Sequence, residues 1–284
     1  MINKNDSLGI PNYGIWYLET LPAQDKMQEF MQIHSFINSV VNSNTVPEFQ
    51  GREKRLEFIN YGRTQLVYVL TIDEKRQYTL LVNQPATEYG TGKREYEDLQ
   101  LLSKPNKENV VNPLYYFTDK NKCRELYITP YHYQSRCIGI DESNWGMWIP
   151  EPEYHFEDFS DTQKEVINSS MVAMLIKLYD DRRNCGLSEC RLDGGDFMLE
   201  KDFEDFEMNY NNILNRIKLI AARKLITVDL DEYIYRMKKE LSSNISKDTE
   251  KIVIGKKLKQ PLSEKEIEKG IELGLELRNK GREK

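Results

Sequence analysis

The sequence predicts an α+β protein in which a small antiparallel sheet precedes a mainly helical region. Two observations carry this prediction. Two β-rich runs, 65–72 and 78–82, flank the polar turn 73–76, a pattern that is typical of an antiparallel hairpin. A later helix, which opens near Ser160, is apolar on nearly every side, and such a helix belongs in the middle of a domain.

The composition excludes several classes of protein. The chain has 284 residues, with 40 Lys and Arg against 46 Asp and Glu, which gives a net charge of −6. That length suggests one large domain or two small ones, and 11% aromatic residues can build a real core rather than a disordered chain. The acidic balance argues against nucleic acid as a partner, because a phosphate backbone requires clustered Lys and Arg.

We expect neither a membrane partner nor export. No stretch approaches the roughly 18 consecutive apolar residues that span a bilayer. The residues before Leu18 contain no apolar run long enough for a signal peptide. These observations predict a cytoplasmic protein.

A helix is expected before the sheet, beginning near Pro22. Proline suits the first turn of a helix because the backbone N–H that it lacks would have no partner there. Apolar side chains follow at helical spacing: Met27, Phe30, Met31, His34, Ile37 and Val41. We therefore expect one apolar face, on which His34 is a packed histidine.

The elements after the hairpin are a helix and a second pair of strands. The helix is predicted over Lys93–Leu102, and the strands over 110–117 and 125–129. The element order is then strand, strand, helix, strand, strand. The segment 143–156 is rich in aromatic residues and proline, and it predicts an ordered loop.

The remaining chain is predicted to be mainly helical. Ser160 and Gln163 form a capping box at the start of the buried helix. A short strand is expected near 196–199, and two further helices over 211–225 and 229–241.

The sequence also predicts a last helix over Glu264–Arg278, capped by Ser263 and Glu266. Gly270 and Gly274 weaken it, because glycine is a poor helix former. We therefore expect this helix to form only when it docks on the rest of the protein.

The cysteines predict neither disulfides nor a metal site. They are Cys123, Cys137, Cys185 and Cys190. Reduced thiols are the expectation for a protein that is not exported. A zinc site requires closely spaced pairs, and the sequence offers no second pair spaced like Cys185 and Cys190.

The order of elements over residues 55–240 resembles the protein-kinase-like superfamily, which includes the aminoglycoside phosphotransferases. Four segments carry this resemblance to the phosphate loop, the lysine strand, the glutamate helix and the hinge strand of that family: Asn60–Thr64, Leu80–Pro85, Arg94–Leu99 and Glu125–Tyr131. The resemblance implies a two-lobed fold. Its parts are an N-terminal extension with a helix (1–54), a β-rich lobe (55–130), a helical lobe (131–241) and a polar linker with a C-terminal helix (242–284).

The segment Gly186–Leu199 can be aligned without gaps with the catalytic loop and following strand of kinases. In that alignment Arg191 takes the position of the catalytic aspartate, and Asp196 that of the metal-binding asparagine. The same alignment places Asn209 at the metal-binding aspartate of the family's Asp-Phe-Gly triplet.

The resemblance therefore implies a degenerate nucleotide cleft, made of Gly62, Arg63, Asn83, Glu95 and Asn209. Phosphoryl transfer depends on a lysine at the phosphates, carboxylates that hold magnesium and an aspartate that orients the acceptor hydroxyl. Asn83 replaces the lysine and leaves Glu95 without its partner. The implied protein is a pseudokinase that requires no cofactor and binds a protein partner or a small ligand between its lobes.

Two alternatives remain open. Gly194-Gly195-Asp196 resembles the His-Gly-Asp sequence of the phosphotransferase branch. Asp196 would then be the catalytic base, with Asp193 or Asp205 as a metal ligand, in an active enzyme that uses ATP and Mg²⁺. The other alternative is an α+β interaction protein that only shares the order of elements with kinases.

Overall fold

The computed structural model describes ten stretches of the chain: 23–61, 65–83, 87–132, 135–141, 144–149, 155–187, 196–200, 209–222, 225–242 and 262–282. Over these stretches the protein has a mixed α and β fold with six α-helices and twelve strands. The strands form two five-stranded sheets and one two-stranded sheet, and every strand pair is antiparallel.

The first sheet has the strand order β1-β2-β3-β5-β4. Its strands are β1 (Lys54–Tyr61), β2 (Gln65–Ile72), β3 (Lys75–Asn83), β4 (Tyr115–Asp119) and β5 (Arg124–Pro130). The predicted hairpin is confirmed, with the two-residue turn Asp73–Glu74 joining β2 to β3. Both turn residues have positive φ, 47° and 64°, as a turn that matches the twist of the flanking strands requires.

A helix lies against each face of this sheet. Helix α1 (Ala23–Val41) packs on the even-numbered side chains of β2, among them Leu66 and Tyr68. Helix α2 (Thr91–Ser103), which connects β3 to β4, packs near Tyr127 on the other face. Successive strand residues point to opposite faces, so the sheet is covered on both sides.

The apolar face predicted for α1 is confirmed in part. Phe30, Ile37 and Val41 are buried, whereas Met31 is 62% exposed and was placed on this face wrongly. Ile33 takes its place, because the stripe that meets the sheet follows Ile33, Phe36, Ile37 and Val40. His34 is half-buried and stacks on Phe30, and burial lowers its pKa.

The predicted strand 110–117 is shifted towards the C-terminus. Strand β4 begins at Tyr115, two residues after Pro113, because proline has no N–H to donate to a strand pair. Val110 instead forms a single parallel bridge to Leu219.

The second sheet has the order β11-β10-β6-β7-β8. Its strands are β6 (Ser135–Asp141), β7 (Asn144–Ile149), β8 (His155–Asp158), β10 (Phe197–Glu200) and β11 (Ile217–Leu219). The prediction of a loop over 143–156 was wrong, since β7 and the start of β8 fall within it. The prolines at 150 and 152 lie outside the described residues.

Helix α3 (Asp161–Lys177) is the central helix. Its capping box is confirmed, with the Ser160 N–H donating to Gln163 Oε1 at 2.8 Å and the Ser160 hydroxyl accepting from Gln163 N. All residues from Val166 to Ile176 are buried, as the sequence predicted.

The helix predicted over 211–225 ends early. Helix α4 (Tyr210–Arg216) has only seven residues, and β11 follows directly. Ile217–Leu219 pair with β10, so tertiary pairing overrides the local helical pattern there. Strand β12 (Leu225–Thr227) then pairs with β9 (Cys185–Leu187), and α5 (Leu230–Ser242) confirms the next predicted helix.

The last helix, α6 (Glu264–Arg282), packs along α3. A Cβ added at Gly270 would lie 2.5 Å from Cβ of Val172, and one added at Gly274 would lie 2.6 Å from Cβ of Ile176. Helix α6 is therefore docked, as the sequence predicted, and its two glycines allow it to approach α3 closely.

Candidate functional site

A buried polar cluster lies between α2 and the first sheet. Four of its members are at most 6% exposed: Gln65, Asn83, Glu95 and Glu125. Gln65 begins β2 and Asn83 ends β3, and these two residues are direct cross-strand partners. The sheet thus places Asn83 next to Gln65, which in turn contacts Glu95. Asn83 and Glu95 are twelve positions apart in the sequence.

Glu125, on β5, caps helix α2. Its Oε2 accepts hydrogen bonds from the backbone N–H groups of Gly90 (2.8 Å) and Gly92 (3.2 Å), and its Oε1 accepts one from Lys93 N (3.1 Å). Gly90, the residue before the helix, has φ of 97° and no side chain that could act as a cap. Glu125 supplies the missing acceptor, and its negative charge also suits the positive end of the helix dipole.

Two side chains complete the hydrogen bonding of Glu125. Asn83 Nδ2 donates to Oε2 at 2.7 Å, and the Tyr116 hydroxyl donates to Oε1 at 2.6 Å. Burial, followed by this hydrogen bond to Glu125, raises the pKa of Tyr116. Helix α2 comes so close at Gly92 that a Cβ there would lie 2.7 Å from Asn83 Oδ1. Asn83 is therefore an internal member of the cluster.

Glu95, the acidic residue of the predicted glutamate helix, accepts a hydrogen bond from Gln65. The Gln65 amide donates to Glu95 Oε2 at 2.5 Å, and it also lies 3.2 Å from the Tyr127 hydroxyl. The kinase resemblance implies a lysine ammonium beside this carboxylate. Here the donor shown by the structure is a neutral amide from β2.

Asp196 and Asn209 each directly precede an element, β10 of the second sheet and helix α4 respectively. Asp196 is fully buried directly before β10, and its carbonyl accepts a hydrogen bond from Ile220 N at 2.8 Å. Asn209 caps α4, where its Oδ1 accepts a hydrogen bond from Asn212 N at 3.0 Å.

The other predicted site residues, Gly62, Arg63, Arg191, Asp193 and Asp205, lie outside the described residues.

Sequence reasoning missed Gln65 and Glu125. A charged residue within the apolar run of β5 is a signal for a buried partner, because an unpaired carboxylate could not be kept there. The identity of that partner had no local signal. Gly90, Gly92 and Lys93 precede Glu125 by more than thirty residues.

Helix α2 also carries a perturbed acid on its side facing the helical part of the protein. Burial raises the pKa of Asp98 to about 6, although the backbone N–H of Leu225 and the charge of Arg94 oppose the shift. Its Oδ2 is buried and has no hydrogen-bond partner. Asp98 thus contributes an unfavourable charge where α2 meets β12.

Within the described stretches, no three His, Cys, Asp or Glu side chains lie together as a metal site requires. Cys123 and Cys185 are both free thiols. None of the helices that the structure describes has the length and apolar content to cross a bilayer.

The comparisons with solved structures give remote likenesses. No protein-family model and no curated protein matches the sequence. The solved structures that resemble the chain include the Cydia pomonella granulovirus kinase PK-1, with 12% identity and a TM-score of 0.38. The match covers 66% of this chain and 57% of the viral kinase. Similarity at this level assigns neither a family nor an activity.

Proposed function

We propose that this protein is a two-lobed, kinase-like binding protein without phosphotransferase activity. Support for the kinase-like part comes from the order of elements along the chain: three strands, a helix and two further strands. The five strands form one antiparallel sheet. The resemblance implies the same order for the β-rich lobe, because in that family two strands flank the phosphate loop, a third carries the lysine, and two more follow the glutamate helix. In this proposal the helical elements from α3 onward form the second lobe, and a ligand or partner binds between the two.

The observation that carries the proposal is the chemistry around Asn83 and Glu125. A kinase places a lysine on this strand to hold the nucleotide phosphates. Asn83 has no charge, and its amide is committed to Glu125. All five hydrogen bonds that the structure describes at Glu125 come from uncharged groups. A buried carboxylate held in this way repels a triphosphate.

The surroundings of Asp196 support the same proposal. Magnesium sites in phosphotransferases use one or two carboxylates together with the substrate phosphates. Asp196 is 0% exposed, whereas a general base must lie within hydrogen-bond reach of the hydroxyl that it activates. An active enzyme that uses Asp196 as its base is therefore the less supported alternative.

A thermal-shift titration tests this proposal. The full chain is heated with ATP, ADP or neither, each with and without Mg²⁺. A ligand at about 100 times its Kd stabilises a protein by about 2.7 kcal/mol, which is a clear rise in Tm. We expect no rise that depends on Mg²⁺. A magnesium-dependent rise would contradict the loss of nucleotide binding.

A phosphate-release assay separates the alternative. The unaltered protein and Asp196→Asn are incubated with Mg-ATP and a panel of hydroxyl acceptors. The proposal expects the two proteins to release phosphate at the same background rate. Turnover by the unaltered protein that Asp196→Asn abolishes would establish the active enzyme instead.

A further inference from the structure

One side chain of α6 holds the connection between α3 and β9. Arg278 is 8% exposed, and its Nη1 donates to the carbonyl oxygens of Ile176 (3.1 Å) and Tyr179 (2.6 Å). Its Nη2 forms an ion pair with Asp181. The guanidinium therefore satisfies carbonyls at the end of α3 and also fixes the turn that follows.

Aromatic contacts extend this connection from Arg278 to β9. The Arg278 guanidinium lies 5.1 Å from the centre of the Tyr179 ring, and that ring lies 5.4 Å from the Tyr233 ring of α5. The Tyr233 hydroxyl donates to the carbonyl of Leu187 at 3.0 Å. Its ring occupies the space beside Gly186, where a Cβ would lie 2.5 Å from Tyr233 Cε2. Contacts thus run without a break from α6 to β9.

Strand β9 has few backbone partners. It pairs with β12 over three residues, in a two-stranded sheet, and Cys185 exchanges two backbone hydrogen bonds with Asp180, in the turn that Arg278 holds. A sheet of that size is marginal in water, so its position depends on the side chains packed against it. The apolar cluster between α1 and the first sheet, in contrast, contains no residue of α6.

We propose that α6 is a conformational brace, whose docking on α3 fixes β9 through Arg278, Tyr179 and Tyr233. When α6 leaves α3, β9 and β12 separate, while the first sheet keeps its structure. A partner that captures α6 would thereby release β9. In the kinase resemblance, β9 leads into the catalytic loop.

Hydrogen–deuterium exchange on the full chain tests the brace. Arg278→Met removes the charge and the three polar contacts, and Tyr233→Phe removes the hydrogen bond to Leu187 and keeps the ring. Lys269→Met is the matched control, because Lys269 is also a cation of α6 lying over a ring, that of Tyr210, at 5.9 Å. We expect exchange in β9 and β12 to rise about tenfold in Arg278→Met and about threefold in Tyr233→Phe.

The control and the first sheet distinguish the outcomes. Lys269→Met should exchange like the unaltered protein, and β2 and β3 should be unchanged in all variants. Faster exchange in α6 alone would overturn the brace, and so would faster exchange throughout the chain. If Arg278→Met does not fold, Tyr233→Phe decides, and unchanged exchange in β9 then sinks the proposal. No nucleotide is involved, so the result is independent of the function proposed above.

Discussion

The side-chain amide of Asn83 lies 2.7 Å from the carboxylate of Glu125, and both groups are buried beside the first turn of α2. Through this contact the end of β3, the start of β5 and the start of α2 form one polar unit. Asn83 therefore serves the internal structure of the protein, with its amide committed to Glu125.

Glu125→Gln should lower the free energy of unfolding by about 3 kcal/mol. Glutamine keeps the volume, but its NH₂ group would face N–H or O–H donors such as Gly90 N and the Tyr116 hydroxyl, leaving buried donors unpaired. Urea denaturation measures the change. Glu97→Gln is the control, because Glu97 forms an exposed pair with Lys93 and should cost less than about 0.5 kcal/mol. Equal losses in the two variants would refute this role of Glu125.

Asp98 should make stability depend on pH. Burial raises its pKa from 3.8 to about 6, so the folded state retains a proton that the unfolded state has already released between these values. The contribution of Asp98 to stability therefore falls as pH rises through this window. A fully buried group would lose about 3 kcal/mol, and partial exposure reduces this to about 1–2 kcal/mol.

The test compares Asp98→Asn with the unaltered protein by urea denaturation from pH 4 to pH 7. Asparagine keeps an acceptor for the Leu225 N–H and carries no charge. The variant should be more stable than the unaltered protein by about 1–2 kcal/mol at pH 7, with little difference at pH 4. A difference that does not change with pH would exclude this explanation.

Gly270→Ala should destabilise the protein by about 2 kcal/mol. Alanine normally improves a helix by about 1 kcal/mol, but here its methyl group would lie 2.5 Å from Val172 Cβ and 2.6 Å from the Ser169 carbonyl oxygen. Thermal unfolding measures the change. Asn279→Ala, at an exposed position of the same helix, should be neutral or slightly stabilising. A stabilised Gly270→Ala would mean that α6 and α3 are not in close contact.

The elements that the sequence predicted well have their signals close together along the chain. Ser160 and Gln163 are three residues apart and define the start of α3 by themselves. The hairpin is similar, because its two runs are separated only by Asp73–Glu74. In these cases the residues that decide the local structure are also the residues that contact each other.

The errors occurred where distant partners decide the structure. Ile217–Leu219 continue a helical pattern, yet they form a strand because β10 offers a free edge to pair with. The same applies to Glu125, whose donors lie at the start of α2, on β3 and on β4. A single sequence reports that such a charge must have a partner, and it does not report which one.

The start of α2 depends on a residue that belongs to a different strand. Gly90 cannot cap the helix, and the acceptor is provided by Glu125, which is thirty-five positions further along the chain. The two regions therefore cannot vary independently during evolution. A lineage that lost the acid on β5 would have to acquire Ser, Thr, Asp or Asn at position 90, where a positive φ would then restrict the choice largely to Asn and Asp.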